Sequence, residues 1–436
     1  MIPKITASTI YSTLGNNSSL VPLAIKDIAN SCGLTTASYI AGDTVEGKDR
    51  FIDEFGTQAI WLWGIPAYKK ILDVAMFKPA GIDPEVDVRI LKDPKILKAA
   101  KEFAPTKAIK ESLENVAKHQ KLAKGLTVAK FAASTVLTTL TYFGLTKFRH
   151  KYTENQIKKD YFEKQQEQKA NANKNATSNI PFSSAFSKVH NNNKNLTFTG
   201  GVQDFIFDPV KNLMLVDASI TGERLTHSRN PQDFFGYVIK EGSFWAFMYL
   251  AGPLIAKALE KNAEHKHNKS IDLDARVIES QELQKAFQNG TLRKHIEQFK
   301  LADKSDVDIY KFAVTPKNKN IVVEMAKKSD IIQLVKKSEM IDTRKYIDLK
   351  ELRGVSEKLE KLLGQYETSG ENLDTFLKSV RKLKRSAILK NIGSCIGFLG
   401  VIAPAIMLIM RKFSPEYQVK KDIENKLAAQ PEQNNK

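Results

Sequence analysis

The chain is poor in cysteine, in arginine and in any clustering of metal-ligating side chains. Only Cys32 and Cys395 occur, far apart. They form neither a disulfide framework nor a Cys-x-x-Cys metal knuckle. Lysine plus arginine number 67, of which 12 are arginine, against 49 acids. A surplus made of lysine argues against a built phosphate site, for which the bidentate arginine fork is the better donor. The seven histidines include "HKH" at 265–267. No cysteine or carboxylate stands at ligand spacing beside them, so the stretch reads as a solvated turn, and no metal or cofactor is expected. There is no phosphate-binding glycine loop. "DASITGERLTH", Asp217 to His227, holds Asp, Ser and His, but order alone makes no triad, and its Thr-Gly reads as a turn or helix start. An enzyme is therefore not expected. The N-terminal "MIPKITASTIYSTLGNNSSL" lacks an apolar core, so no cleaved secretory signal is expected and any membrane insertion falls to internal segments.

Two long apolar runs are present. Gly125–Phe148 contains only Lys130 before Lys147, and Ser386–Met410 contains only Lys390. Each is about 36 Å long as a helix, enough for a hydrocarbon core of about 30 Å. Both internal lysines lie near the N-terminal ends, where their stems can snorkel to the headgroups. Basic residues flank both runs, and no carboxylate lies inside either. In the second run Gly393, Gly397 and Gly400 recur at a spacing that lets helices pack closely in lipid, and Pro404 predicts a kink.

Two shorter runs, within 55–73 and 242–259, raise a different question. Their uncharged cores, Phe55–Tyr68 and Gly242–Ala256, fall short of the roughly 20 residues a span needs. Both are aromatic-rich, and each is interrupted by Gly and Pro: Gly64 and Pro66, then Gly252 and Pro253. A tilted span that borrows flanking turns, a re-entrant helix and a core helix beneath the membrane part all fit. The span ranks first, because neighbours in a bundle can satisfy the backbone groups that proline frees.

The short runs also match one another. With one gap after Trp63, Gly56 aligns with Gly242, Pro66 with Pro253, Lys70 with Lys257 and Leu72 with Leu259. "RHKYTENQIKKD" from Arg149 and "RKFSPEYQVKKD" from Arg411 share six of twelve residues, each just after a long run. "IKDI" at Ile25 and "VKNL" at Val210 precede the first match. Three matches in one order predict a duplicated chain. The expected division is a first half at 1–163, an Asn-rich flexible linker at 164–200, and a second half at 201–436 with a mostly helical polar insertion within 266–381. Within that insertion "VDIYKFAVTPKNKNIVVEMA" suggests a short hairpin turning at "TPKNK".

The expected fold class is all-α: a helical integral membrane protein of two sequence-related halves. Lys92, Lys95, Lys98 and Lys101 recur three apart and predict a basic stripe suited to anionic membrane lipid, or else a solvated face. No motif for specific nucleic-acid recognition is present. For function two classes stand. One is a non-enzymatic membrane scaffold or assembly protein. The other is a small-solute transporter or channel with a site at Gly64, Pro66, Gly252 and Pro253, which with so few spans requires a homo-oligomer to enclose a pathway. Lysine and arginine are spread over both sets of loops, so the positive-inside rule assigns no orientation.

Overall fold

A computed structural model of the chain describes residues 7–16, 20–41, 44–172, 206–228, 231–413, 424–425 and 427. Among these the protein is all-helical. The one β-type pairing is a single antiparallel bridge between Leu334 and Ile341. Two bodies of packing are evident, a helical bundle and a helical domain joined to one end of it.

The bundle is made of α2 (Val21–Ile40), α3 (Thr44–Ala59), α4 (Ile65–Leu72), α7 (Gln120–Ala172), α8 (Pro209–Thr226), α9 (Pro231–Trp245), α10 (Gly252–His267), α17 (Leu373–Gly397) and α18 (Ala403–Phe413). Several are pieces of longer helices. α3 runs through a π-helical turn, Ile60–Gly64, into α4 and a second such turn, Asp73–Phe77. α9 runs through Ala246–Ala251 into α10, and α17 through Phe398–Ile402 into α18. All four π turns end two residues before a proline: Pro66, Pro79, Pro253 and Pro404. The cause is local. Proline offers no N–H, and its ring pushes away the carbonyl four residues back. The preceding turn widens to i→i+5 bonding, as in Ile65 N–H to Ile60 O; the helix continues without a break past Pro66, Pro253 and Pro404 and ends at Phe77 before Pro79. The kink expected at Pro404 takes this form.

The short runs are thus parts of long helices. Thr44–Phe77 is continuous over 34 residues and Pro231–His267 over 37. At 1.5 Å per residue each exceeds about 50 Å. Their uncharged cores are short because polar residues upstream turn inward. α3 buries Glu46, Arg50, Asp53, Glu54 and Gln58 while exposing Phe51. α7 buries Ser134, Thr138, Tyr142, Thr146, Arg149 and Thr153 on one stripe, and exposes Val136, Leu140 and Phe148. α2 buries Lys26, Asp27, Asn30 and Ser31 and exposes Ile28 and Ile40. Polar faces point in and apolar faces point out.

Two helices are long and apolar enough to cross a membrane, Gln120–Gln166 and Leu373–Ile409. Only 17% and 28% of their apolar windows are buried. Lys130 pairs with Asp73 and lies over the Phe77 ring, so it is held by a partner where snorkelling was expected.

The domain unites two stretches that sequence reading keeps apart. α5 (Pro94–Glu102) and α6 (Lys107–Lys118) share one core with the insertion helices α11 (Ala275–Ile278), α12 (Gln281–Gln288), α13 (Leu292–Ala302), α14 (Asp306–Val314), α15 (Ile321–Lys328) and α16 (Leu349–Ser369). Leu113, Phe299, Ile309, Leu352 and Phe376 are almost wholly buried there. Helix starts are capped by short polar side chains, among them Asp93, Thr106, Ser305, Asn320 and Asp348. Those caps explain why the expected hairpin is two helices. Ser305 opens α14 and Asn320 opens α15, with "TPKNK" as the turn between and Lys317 at positive φ. The first nine residues of the expected linker, 164–172, extend α7. Residues 173–200 lie outside the described residues, as does most of the second match after Phe413.

Candidate functional site

The inward faces meet in a network of ionised side chains. Asp53 of α3 is its hub. Its carboxylate takes Arg149 Nη1 of α7 at 2.8 Å, Arg224 Nη2 of α8 at 3.2 Å and the Tyr142 hydroxyl at 3.1 Å. Arg224 extends the network by donating from Nη1 to Glu241 Oε1 at 2.6 Å and from Nε to the Tyr142 oxygen at 2.6 Å. Lys240 of α9 reaches Glu54 Oε1 at 2.5 Å and Glu241 Oε1 at 3.4 Å. Arg50 lies 3.8 Å from both Asp53 and Glu54. These charges are almost fully buried, and burial of a charge is tolerated only where partners compensate it.

Beside the network sits a cavity of about 20 Å³, room for a single water-sized species. Asp27, Asn30, Trp61, Asp217, Arg224 and Lys240 are among the residues that line it. Asp27 and Asp217 are 7% and 8% exposed, and neither has a basic residue at ion-pair distance among the described residues. Each is held by a neutral aromatic donor from a π turn. Trp61 Nε1 donates to Asp27 Oδ2 at 2.8 Å, and the Tyr249 hydroxyl donates to Asp217. The Asn30 side chain, 3% exposed, makes no hydrogen bond among the described residues.

The residues expected to form a solute site lie elsewhere. Pro66 and Pro253 face outward from the bundle. Gly64 is half-buried against Tyr68 and Ile60. Gly252 is buried, with Lys26 Nζ pressed against the space a Cβ would take. Among the three glycines expected to pack helices, Gly400 lies against Ala29 and Gly33 of α2, while Gly393 and Gly397 face open space. Lys95 and Lys98 are exposed on α5 and Lys101 is half-buried. Lys92 belongs to a separate 3₁₀ turn, Val88–Lys92, because Asp93 caps a new helix and interrupts the stripe.

Sequence reading missed the ionised cluster. It found no carboxylate in the apolar runs and did not count α2 and α8 as bundle helices. It also read Thr221-Gly222 as a turn or helix start, where α8 runs on from Pro209 to Thr226 and aligns Asp217, Ile220 and Arg224 on its buried face. The usable signal was the charge spacing itself: Arg50, Asp53, Glu54 and Gln58 fall on one helical face. No group of His, Cys, Asp and Glu among the described residues is arranged to hold a metal ion. No protein-family model, curated protein or solved structure matches the chain.

Proposed function

We propose that the chain is an integral membrane protein of two related halves that acts without catalysis, holding its helical domain at the membrane for assembly with other proteins or copies of itself. The carrying observation is the inverted amphipathicity of the bundle. Water-soluble helices bury apolar residues and expose charge. Here Arg50, Asp53, Arg149, Arg224 and Lys240 are buried, while Trp63, Leu140, Leu250, Leu254 and Val401 are exposed by more than half. A surface of that extent needs an apolar surrounding. Two features support the halves. Glu54 and Lys240 occupy aligned positions, each two residues before the matched Gly56 and Gly242, and they pair with each other. The helices that carry the matched "IKDI" and "VKNL" also pack on the long helix of the other half, α2 on α18 and α8 on α7. Lys95 and Lys98 are exposed and without an ion pair among the described residues, which suits anionic headgroups.

Alkaline carbonate extraction tests this reading. The protein is expected in the membrane pellet, and recovery in the supernatant overturns it. A second reading is favoured by one observation. α7 starts in the domain and runs for 53 residues to Ala172, about 80 Å away. α8 starts back at the domain, where Phe207 lies on Arg89. Ala172 and Phe207 thus lie at opposite ends of α7, an arrangement that a bundle covered by protein accommodates. On this reading further copies of the protein cover the apolar faces. It predicts a soluble particle of several times 49.0 kDa by native mass.

A further inference from the structure

Within the ionised network Arg50, Arg149, Arg224 and Lys240 face Asp53, Glu54, Glu241 and, 3.8 Å from Arg149, Asp49, four charges of each sign, whereas the cavity beside it has no such pairing. Around Asp27 and Asp217 the facing groups can be enumerated. α2 brings Lys26, whose ammonium points to Gly252. α3 brings Glu54, bound to Lys240. α8 brings Arg224, engaged with Asp53, Glu241 and Tyr142. α9 brings Lys240 and Glu241, already paired with each other and with Glu54 and Arg224. The π turns bring Trp61 and Tyr249, both neutral donors. The turn Phe398–Ile402, packed on α2, carries no titratable residue. Two carboxyl groups therefore line one small cavity whose cations, Arg224 and Lys240, are held by other carboxylates.

An isolated carboxylate in such a place is too costly to persist, so a positive charge from outside has to enter. The cavity admits one small species. Asn30 supplies an amide with no other partner on its wall. We propose that Asp27, Asp217 and Asn30 form a binding site for one small monovalent cation, either a proton shared between the carboxyls or a sodium ion. The assignment stands on the burial of the two acids and is independent of whether lipid or protein covers the bundle.

Trp61 is a built-in reporter, since its indole donates to Asp27. In a Trp63→Phe background, purified full-length protein is titrated from pH 4 to pH 10 in choline and in sodium buffers, following tryptophan emission. One transition is expected, absent in Trp61→Phe and in Asp27→Asn. If sodium competes for the site, the midpoint falls by about one pH unit per tenfold rise in sodium, the linkage slope for one-for-one exchange. If the site takes a proton alone, sodium leaves the midpoint unchanged. Asp27→Asn and Asp217→Asn are also expected to melt at equal or higher temperature above the transition, because an amide replaces an uncompensated charge. A flat titration of the parent protein in both buffers overturns the proposal. So does a transition that survives unchanged in Asp27→Asn.

Discussion

Glu54 and Lys240, 186 positions apart, meet at 2.5 Å with side chains only 4% and 2% exposed. They stand at corresponding places before two matched glycines, so the pair joins like positions of the two stretches with unlike charges. The arrangement makes a direct experiment available. Lys240→Met leaves Glu54 with only the more distant Arg50, at 3.8 Å, and weakens the hold on Asp53 and Glu241. Removing one partner of a buried pair costs about 3–5 kcal/mol. Glu54→Gln should cost less, since Lys240 keeps Asp53 at 3.6 Å and Glu241. The double exchange Glu54→Lys with Lys240→Glu should recover part of the loss. Thermal melting of the purified protein checks the order of the three variants, and a double exchange worse than either single change would refute the correspondence.

The two cysteines report what covers the bundle. Cys32 is exposed on the outer side of α2, and Cys395 is wholly buried. With lipid around α2, a membrane-permeant maleimide should label Cys32 in intact membranes and a charged maleimide should not. Neither reagent should reach Cys395 until the protein is denatured. Rapid labelling of Cys32 by the charged reagent would place that face in water.

Glycines that resemble each other in sequence should differ on substitution. At Gly33 a Cβ would collide with the carbonyl oxygen of Gly400, and at Gly400 it would lie 3.1 Å from the Ala29 oxygen. Both contacts are with backbone, which yields less readily than a side chain. Gly33→Ala is expected to be the more damaging, at about 1–3 kcal/mol for overpacking. Gly393→Ala and Gly397→Ala meet no atom within 4 Å. Those changes should be neutral or stabilising by up to about 1 kcal/mol of helix propensity. Melting temperatures of the four variants decide the matter.

Acid should loosen the domain at Asp83. Burial raises its carboxyl, but the Glu85 N–H, the Ser112 hydroxyl and Arg344 outweigh burial and hold it below its ordinary value. Arg344 Nη1 lies 3.0 Å from Asp83 Oδ2. A folded-state value below the unfolded one means stability that is complete above about pH 4 and lost as pH falls through the folded value. The stability gap between the parent protein and Asp83→Asn should therefore be constant from pH 5 to pH 8 and shrink below pH 4. A gap that widens in acid would contradict this.

Much of the helical framework was legible because its causes are local. The domain helices announce themselves by Asp, Asn, Ser and Thr caps ahead of apolar positions at helical spacing, and Gly125–Phe148 and Ser386–Met410 by unbroken apolar length. Where β-type alternation in 307–326 suggested a hairpin, the caps at Ser305 and Asn320 prevailed. The prolines forecast a disturbance of the backbone, and each produced a widened turn that its helix absorbs.

The sequence alone therefore determined most of the helical content and how long the apolar runs are. Only the tertiary structure decided which way each helix faces. A helix with charge on one side and apolar residues on the other has the same pattern whether charge points to water or to its neighbours. In this bundle the neighbours of charge are other charges, contributed by α3, α7, α8 and α9 from up to 187 residues away, as for Asp53 and Lys240. Pairing at that range leaves no periodic trace along the chain. It is set when helix packing brings the faces together and removes water from between them. The same packing leaves Asp27 and Asp217 lining one cavity with no basic residue at ion-pair distance of either among the described residues.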